Sequence, residues 1–555
     1  MKPVRQPRRL ILSNKQMRLT TQLVVLLGLV TGGLTARADV KLHRVFTDHM
    51  VLQRDINVNV WGWAAPGEKV GVQFSGQDLS ALADSNGKWS VKLAPMKANP
   101  TPQNLTVSGK NKIELTDILV GDIWLCSGQS NMAFGVGGIN TPEDIKSADY
   151  PLLRFRSGWG CWSGPLMEDL VEKPWFRVAI DEDLNRLKPW KRIVPDVKAI
   201  DDCPAVGFYF ARKVQKETGV PIGILECAIG GSSIEAWLPP GAFTDYPAVA
   251  YLAKQRKEAI DNWHKKTISD MEKWVDEAKM NLTEDKEISN PPAVVPHPNE
   301  DYRGRCEVST LYNGMIHPLI QFPIKGVLWY QGENNGSEQQ TYIDKLSALA
   351  GSWRKLWGYE FPFYYVQLPN FEQVVDDPSG GKPGWQMIRM GMLQALKVIP
   401  NSGMAVTIDV GDPKDIHPRN KRDVGERLAL WSLAKDYGKT GLVYSSPLYA
   451  GMRIEDAKIR IAFDGIGGGL MVGKKDGLNP VLEDQGAKLK CFAIAGEDRK
   501  WVWADAVIDG KTVLVSSPAV PKPVAVRYAY SMNPEGANLY NKEGLPASPF
   551  RTDNW

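Results

Sequence analysis

The sequence predicts an α/β fold: a parallel sheet covered by helices, with β-rich segments before and after it. Three observations carry this expectation. Between residues 123 and 438, short apolar runs alternate with amphipathic helical stretches, the pattern of repeated strand–helix–strand units. Residues 40–119 instead alternate at period two, as in "NVNVWGW" and "KWSVKL", between turn pairs such as Pro66-Gly67 and Asn86-Gly87. From Tyr449 onward the chain returns to such strands, in "KIRIAF", "LKCFAIAG", "WVWADAVI" and "TVLVSS".

Taken in order, residues 1–38 read as a signal peptide. The basic "RQPRRLILSNKQMR" precedes the apolar "LVVLLGLV", and small residues at Ala36 and Ala38 place cleavage after Ala38, with Met17 as an alternative start. The apolar run is too short to span a bilayer and no second run of that length follows. A secreted or periplasmic chain without stable membrane insertion is expected. Residues 39–119 form the N-terminal β-rich segment and residues 120–448 the α/β domain. Its buried strands are read at "DIWLCSG", "PIGILECAIGG", "KGVLWYQG", "FPFYYVQLP" and "MAVTIDVGD". Tyr342, Leu346, Leu349, Trp353 and Leu356 recur at helical spacing between two of them. About residues 241–305 an insertion is expected, a charged helix followed by the Pro-rich "NPPAVVPHPNED", packed on the surface and covering the site. Residues 449–555 form the C-terminal β-rich segment.

A formal net charge of +4 over 555 residues gives no reason to expect a nucleic-acid partner. Nineteen tryptophans suit a protein that stacks sugar faces on aromatic rings, although most such rings belong in cores. The cysteines Cys126, Cys161, Cys203, Cys227, Cys306 and Cys491 show no metal-binding spacing. Cys126 and Cys227 lie in apolar strands, and Cys161, Cys203 and Cys306 are the candidates for a disulfide.

The chemistry gathers at strand ends, where open α/β sheets place their sites. "WLCSGQSNMAF" ends a strand at Gly128 and offers Ser130 at the start of a helix. A serine nucleophile needs a base, and six histidines allow elimination. His43 and His49 fall in the N-terminal segment, His264 on the charged helix, His297 in the Pro-rich loop, and His317 on an apolar helix. His417 remains, in "DVGDPKDIHPRNK" just after a strand end, with Asp415 and Asp412 as acids able to orient it. Two further strand ends, "AIGGSSIEAW" and "WYQGENN", offer Gly230, Gly231, Gln331, Glu333, Asn334 and Asn335. Their backbone and amide donors are what a tetrahedral oxyanion needs.

The blocks "GQSNM", "GGSSIEAW", "WYQGENN" and "DIHPRNK" resemble those of the sialate O-acetylesterase family, within the SGNH-hydrolase superfamily. "RVFTDHMVLQRD", "VWGWAAPGEKV" and "NLYNKEGLPASPFRTD" extend the resemblance over nearly all of the chain after residue 38. It implies a flavodoxin-like SGNH-hydrolase domain with Ser130 as nucleophile, His417 as base and an adjacent acid. It further implies an oxyanion hole made by the amides of Ser130 and Gly231 and a side chain of "QGENN", with Gln331, Asn334 and Asn335 equally placed. Many SGNH enzymes carry Asp three residues before the histidine. Position 414 here is Lys, so Asp415 is chosen and Asp412 kept in reserve. The expected activity is hydrolysis of O-acetyl esters of sugars, sialate foremost, through an acyl-enzyme and without metal or organic cofactor. Acetyl-xylan or other polysaccharide deacetylation, and non-catalytic carbohydrate binding, stand as alternatives. Arg389 and Arg419 are candidates for a substrate carboxylate, with helix-surface roles equally open.

Overall fold

The computed structural model describes residues 39–139, 144, 148–157, 162–170, 190–193, 200–292 and 305–555. The signal peptide, Cys161 and His297 lie outside them. Six strands run parallel at the centre: β1 (Lys112–Gly128), β2 (Tyr150–Arg156), β3 (Ile222–Ala228), β4 (Gly326–Tyr330), β5 (Phe363–Gln367) and β6 (Ser402–Val406). Their spatial order is β2-β3-β1-β4-β5-β6, with Lys191–Ile193 antiparallel on the β2 edge. Every residue of β3, β4 and β5 is buried, which is why these strands read as continuous apolar runs rather than alternating ones.

Helices cover the sheet. After the short α1 (Ser130–Ala133) come α2 (Ala205–Thr218), α3 (Tyr251–Thr283), α4 (Gln340–Trp357), α5 (Trp385–Ala395) and α6 (Lys421–Lys435). The stripe foreseen on α4 is buried at Tyr342, Leu346, Leu349 and Trp353, while Leu356 faces solvent. Helix α3 is the charged helix of the insertion. Leu252 is its one fully buried residue, and Ile268, Met280 and Leu282 are exposed. No helix among the described residues is long and apolar enough to cross a membrane.

Strand β2 was hidden in the sequence because "YPLLRFR" carries a proline and two arginines. Both arginines are buried. Arg154 Nη2 donates to Asp117 Oδ1 at 3.1 Å and Arg156 Nη1 to the Val45 carbonyl at 3.3 Å. A single strand, β1, pairs antiparallel with Asn99–Ser108 near its start and then enters the parallel sheet. It therefore runs through the border expected at residues 119 and 120.

The β-rich ends sit apart. Residues from Val40 to Leu119 share the core of the parallel sheet, with Phe46 edge-on to Phe322 and Arg54 paired with Asp122. Residues 448–555 build antiparallel sheets around a second core that includes Ile459, Phe492, Val513, Val526 and Phe550. They dock where β5 and β6 end. There Gln367 Nε2 donates to Ser548 Oγ at 2.9 Å, and Tyr540 Oη lies 3.3 Å from Asp409. Among the described residues no hydrogen bond or ion pair joins the two β-rich ends. Cys203 and Cys306 are free thiols, so neither forms a disulfide with a described residue.

Candidate active site

Strand register brings the serine turn and its neighbours to one line. Gly128, the last residue of β1, stands opposite Ala228 of β3 on one side and Tyr330 of β4 on the other. The residues that follow each strand therefore emerge side by side, where the chain's crossovers leave β1 in opposite directions. Gly128 has φ +133°, and a Cβ there would lie 2.1 Å from the Tyr330 carbonyl oxygen. Only glycine lets β1 finish this close to β4 and turn. The Gln129 amide then donates to Tyr330 O at 2.9 Å, and Ser130 opens α1 half-buried. As the first helical residue, its N–H has no partner within the helix.

Gly230 faces Ser130 closely enough that an added Cβ would lie 3.5 Å from the serine Cβ. Gly231 follows with φ +67°, and its carbonyl accepts from Arg305 Nε at 3.1 Å and Cys306 Sγ at 3.3 Å. Asn334 Nδ2 donates to the same Cys306 Sγ at 3.4 Å and is exposed. Asn334, Cys306 and Gly231 thus adjoin one another on the rim.

The other amides of the block are committed elsewhere. Gln331 Nε2 donates to Ser232 O at 3.2 Å and to Asn335 Oδ1 at 2.7 Å, while its Oε1 accepts from Tyr342. Asn335 Nδ2 donates to Glu235 and Glu338 carboxylates, both of which also bind Lys345. Each Nδ2 or Nε2 has only two hydrogens. Glu333 turns inward. Its Oε1 accepts from Asn131 Nδ2 at 2.6 Å, and its Oε2 is enclosed without a hydrogen-bond partner.

His417 stands in the loop after β6, stacked on Phe134 with ring centroids 6.3 Å apart. Asp415 Oδ1 lies 3.7 Å from its Nδ1 and accepts from the His417 backbone N–H at 2.8 Å. That first separation is longer than a formed hydrogen bond. Asp412 instead accepts from the Lys414 amide at 2.8 Å. The serine turn meets this loop through Asn131, whose Nδ2 donates to the Ile416 carbonyl at 3.0 Å. Burial and the Lys421 ammonium lower the His417 pKa, and Asp415 opposes them. The balance favours the neutral imidazole.

The other described histidines are engaged elsewhere. His43 is buried and pushed down to about 3 by burial and Arg156. His49 pairs with Asp117 at 2.7 Å, His317 Nδ1 lies 2.8 Å from Met167 O, and His264 sits on α3 against Trp263. Arg389 is no carboxylate receptor. It is fully buried and donates to the carbonyls of Leu368, Pro369, Ser531 and Met532. Arg419 is exposed beside His417 and donates to Gly138 O at 3.0 Å. Sequence reasoning singled out Cys306 only as a disulfide candidate and passed over Arg305, Asn131 and Lys421. The last two stand inside the quoted blocks, but their partners are distant in sequence. Among the described residues no group of three His, Cys, Asp or Glu is placed to hold a metal ion.

Comparison with known proteins matches residues 120–275 and 301–433 to the family model described as carbohydrate esterase, sialic acid-specific acetylesterase. The mouse sialate O-acetylesterase is 28% identical over 541 residues, covering 91% of this chain and 92% of its own. The human one is 29% identical over 427 residues, covering 72% and 71%. A crystal structure of a carbohydrate acetylesterase from Xanthomonas citri superposes with a TM-score of 0.74 at 34% identity, covering 93% of this chain and all of that one.

Proposed function

Because the chain belongs to the sialic acid-specific acetylesterase family of carbohydrate esterases and is a carboxylic ester hydrolase, we propose that it removes O-acetyl groups from sialic acids by a Ser-His-Asp mechanism. The observation that carries this reading is the Asn131 hydrogen bond to Ile416 O, which ties the Ser130 turn to the His417 loop. Ser130 Oγ attacks the acetyl carbonyl carbon while His417 takes its proton. Asp415 shortens its 3.7 Å separation from Nδ1 as the imidazolium forms and stabilises that charge. The oxyanion is held by the amides of Ser130 and Gly231 and by Asn334 Nδ2. Gln331 and Asn335 are left out because their amide hydrogens are already donated. The carbon–oxygen bond to the sugar then breaks, and His417 returns its proton to the leaving hydroxyl. Water attacks the acetyl-enzyme by the same route and releases acetate.

The finer architecture belongs to the same proposal. Leaving out the edge strand β2, the order β3-β1-β4-β5-β6 is the 2-1-3-4-5 order of flavodoxin-like sheets, which supports an SGNH-type domain within residues 120–448. Residues 39–119 and 449–555 are its accessory β-rich segments, and residues 1–38 direct export.

Ser130→Ala is expected to abolish nearly all acetate release with the melting temperature unchanged, and a fluorophosphonate probe to label Ser130. Labelling of another serine with Ser130 untouched would overturn the assignment. A panel of O-acetylated sialic acids and acetylated xylo-oligosaccharides, scored for acetate, tests the substrate. Preference for the xylan fragments would replace sialate with a polysaccharide ester.

A further inference from the structure

Beneath the Ser130 turn lie three polar side chains that the steps above do not use. Lys421, the first residue of α6, is fully buried, and its Nζ donates to Asn131 Oδ1. It stands 5.0 Å from the Phe134 ring centroid and 5.7 Å from that of Tyr330. Asn131 gives one hydrogen of its Nδ2 to Glu333 Oε1 and the other to Ile416 O, so its amide is completely used. One amide therefore joins the serine turn, the segment after β4, the histidine loop and the head of α6. A buried Lys and Glu are expensive to desolvate, and an apolar pair of the same size is often as stable. The pair needs another reason to be there.

We propose that Lys421 is a positioning residue that, through Asn131 and with Glu333 as its counter-charge, clamps the Ser130 turn to the His417 loop. This rests on the assignment of Ser130 and His417 given above. The clamp also acts electrostatically. Two charged groups face His417: Asp415 on its own loop, and Lys421 on α6. Helix α1 contributes no charge, nor do residues 135–139, which Arg419 holds from outside. Asp201 packs under Gly137, Asp412 is turned to the Lys414 amide, and Asp423 further along α6 is taken by Lys475. Glu333 is directed at Asn131 and acts on Lys421. Burial holds the Lys421 amine down to about 7, so over the acid limb it is an ammonium that disfavours a second positive charge on the imidazole, and its removal raises the pH at which His417 becomes a free base.

The test uses the full chain with p-nitrophenyl acetate, comparing Lys421→Met and the double variant Glu333→Gln/Lys421→Met with wild type. A misplaced reacting pair costs roughly 10²-fold, so kcat is expected to fall by about that much with KM changed far less. The acid limb of kcat/KM is expected to move to higher pH. The double variant, which leaves no unpaired buried carboxylate, should recover melting temperature but neither kcat nor the original limb. Lys421→Arg, which keeps the charge, should return the limb toward its wild-type position. A double variant with kcat within about twofold of wild type, or with a lower kcat and an unmoved limb, would overturn the proposal. Ser130→Ala run in parallel separates the two levels. If it is inactive while the Lys421 variants are normal, only the clamp falls; if it stays active, the clamp falls together with the site on which it rests.

Discussion

In the proposed mechanism Asp415 has two tasks that compete for one carboxylate. In this structure its Oδ1 caps the loop by accepting from the His417 amide, and the imidazole waits 3.7 Å away. Asp412 makes the same kind of local turn but reaches only the Lys414 amide. Asp415→Asn is therefore expected to lower turnover by roughly 10³–10⁴, whereas Asp412→Asn should leave most of it. The pH profile adds a signed check. Asp415 favours the imidazolium, so its neutralisation should carry the acid limb of kcat/KM below the wild-type position, itself below that of an unperturbed histidine. The shift is opposite to that expected on removing Lys421. Steady-state kinetics from acidic to neutral pH measure both, and a reversal of the two aspartates would make Asp412 the orienting acid. At this scale the sequence was partly legible. His417 emerged by elimination among six histidines. The proposed preference for Asn334 over Gln331 and Asn335 rests on hydrogen bonds to groups as distant in the chain as Glu235 and Cys306, which no local pattern records, and that for Asp415 over Asp412 on its nearness to the His417 ring.

Among the elements, the site depends on how closely β1 and β4 approach. Gly128 meets that approach with a left-handed φ and no side chain, while Gly230 on the neighbouring turn has room for a methyl group. The two glycines should accordingly behave differently. Gly128→Ala drives a Cβ into the Tyr330 carbonyl and forces the backbone off its conformation, for an expected loss of about 3 kcal/mol or more. Gly230→Ala makes an ordinary contact with the Ser130 Cβ, so the fold should melt near the wild-type temperature while the crowded serine turns over more slowly. Thermal melts and kcat of the two variants check this, and equal destabilisation would mean that the Gly128 turn is not specifically constrained. Strands buried on both faces were readable because β3, β4 and β5 are apolar throughout. Strand β2 was not, because the partners that its Arg154 and Arg156 reach, Asp117 and the Val45 carbonyl, lie far off in the chain.

For the whole molecule, the placement of the C-terminal β-rich segment matters most. The first and last elements of an open sheet often leave the chain ends near each other, an expectation that would dock the two β-rich segments together, or at least on one side of the domain. The structure instead sets the C-terminal segment on the carboxyl ends of β5 and β6, the edge from which the His417 loop departs. Asn533 Oδ1 accepts from Asn370 Nδ2 at 3.1 Å, and Asn370 Oδ1 accepts from the Gly411 amide at 2.9 Å, at the start of that loop. Arg389, enclosed and held down to about 9 by burial, spends its guanidinium on carbonyls from both sides of this interface. Such docking makes the segment part of the site's support, although it supplies none of the reacting groups. A chain ending at residue 448 loses the Ser531 and Met532 carbonyls, the Ser548 hydroxyl and the Asn533 amide together. It should melt well below the full-length protein and lose acetate release. Asn533→Ala removes the strut to Asn370 together with the bond its Nδ2 donates to the Glu372 carbonyl, with an expected cost of roughly 1–3 kcal/mol for the buried amide left without its partner. It should lower kcat for p-nitrophenyl acetate more than KM, because the loop that carries the proposed base, His417, loosens while the serine turn stays in place. A truncated chain that melts at the full-length temperature with activity intact would instead make residues 449–555 an independent module.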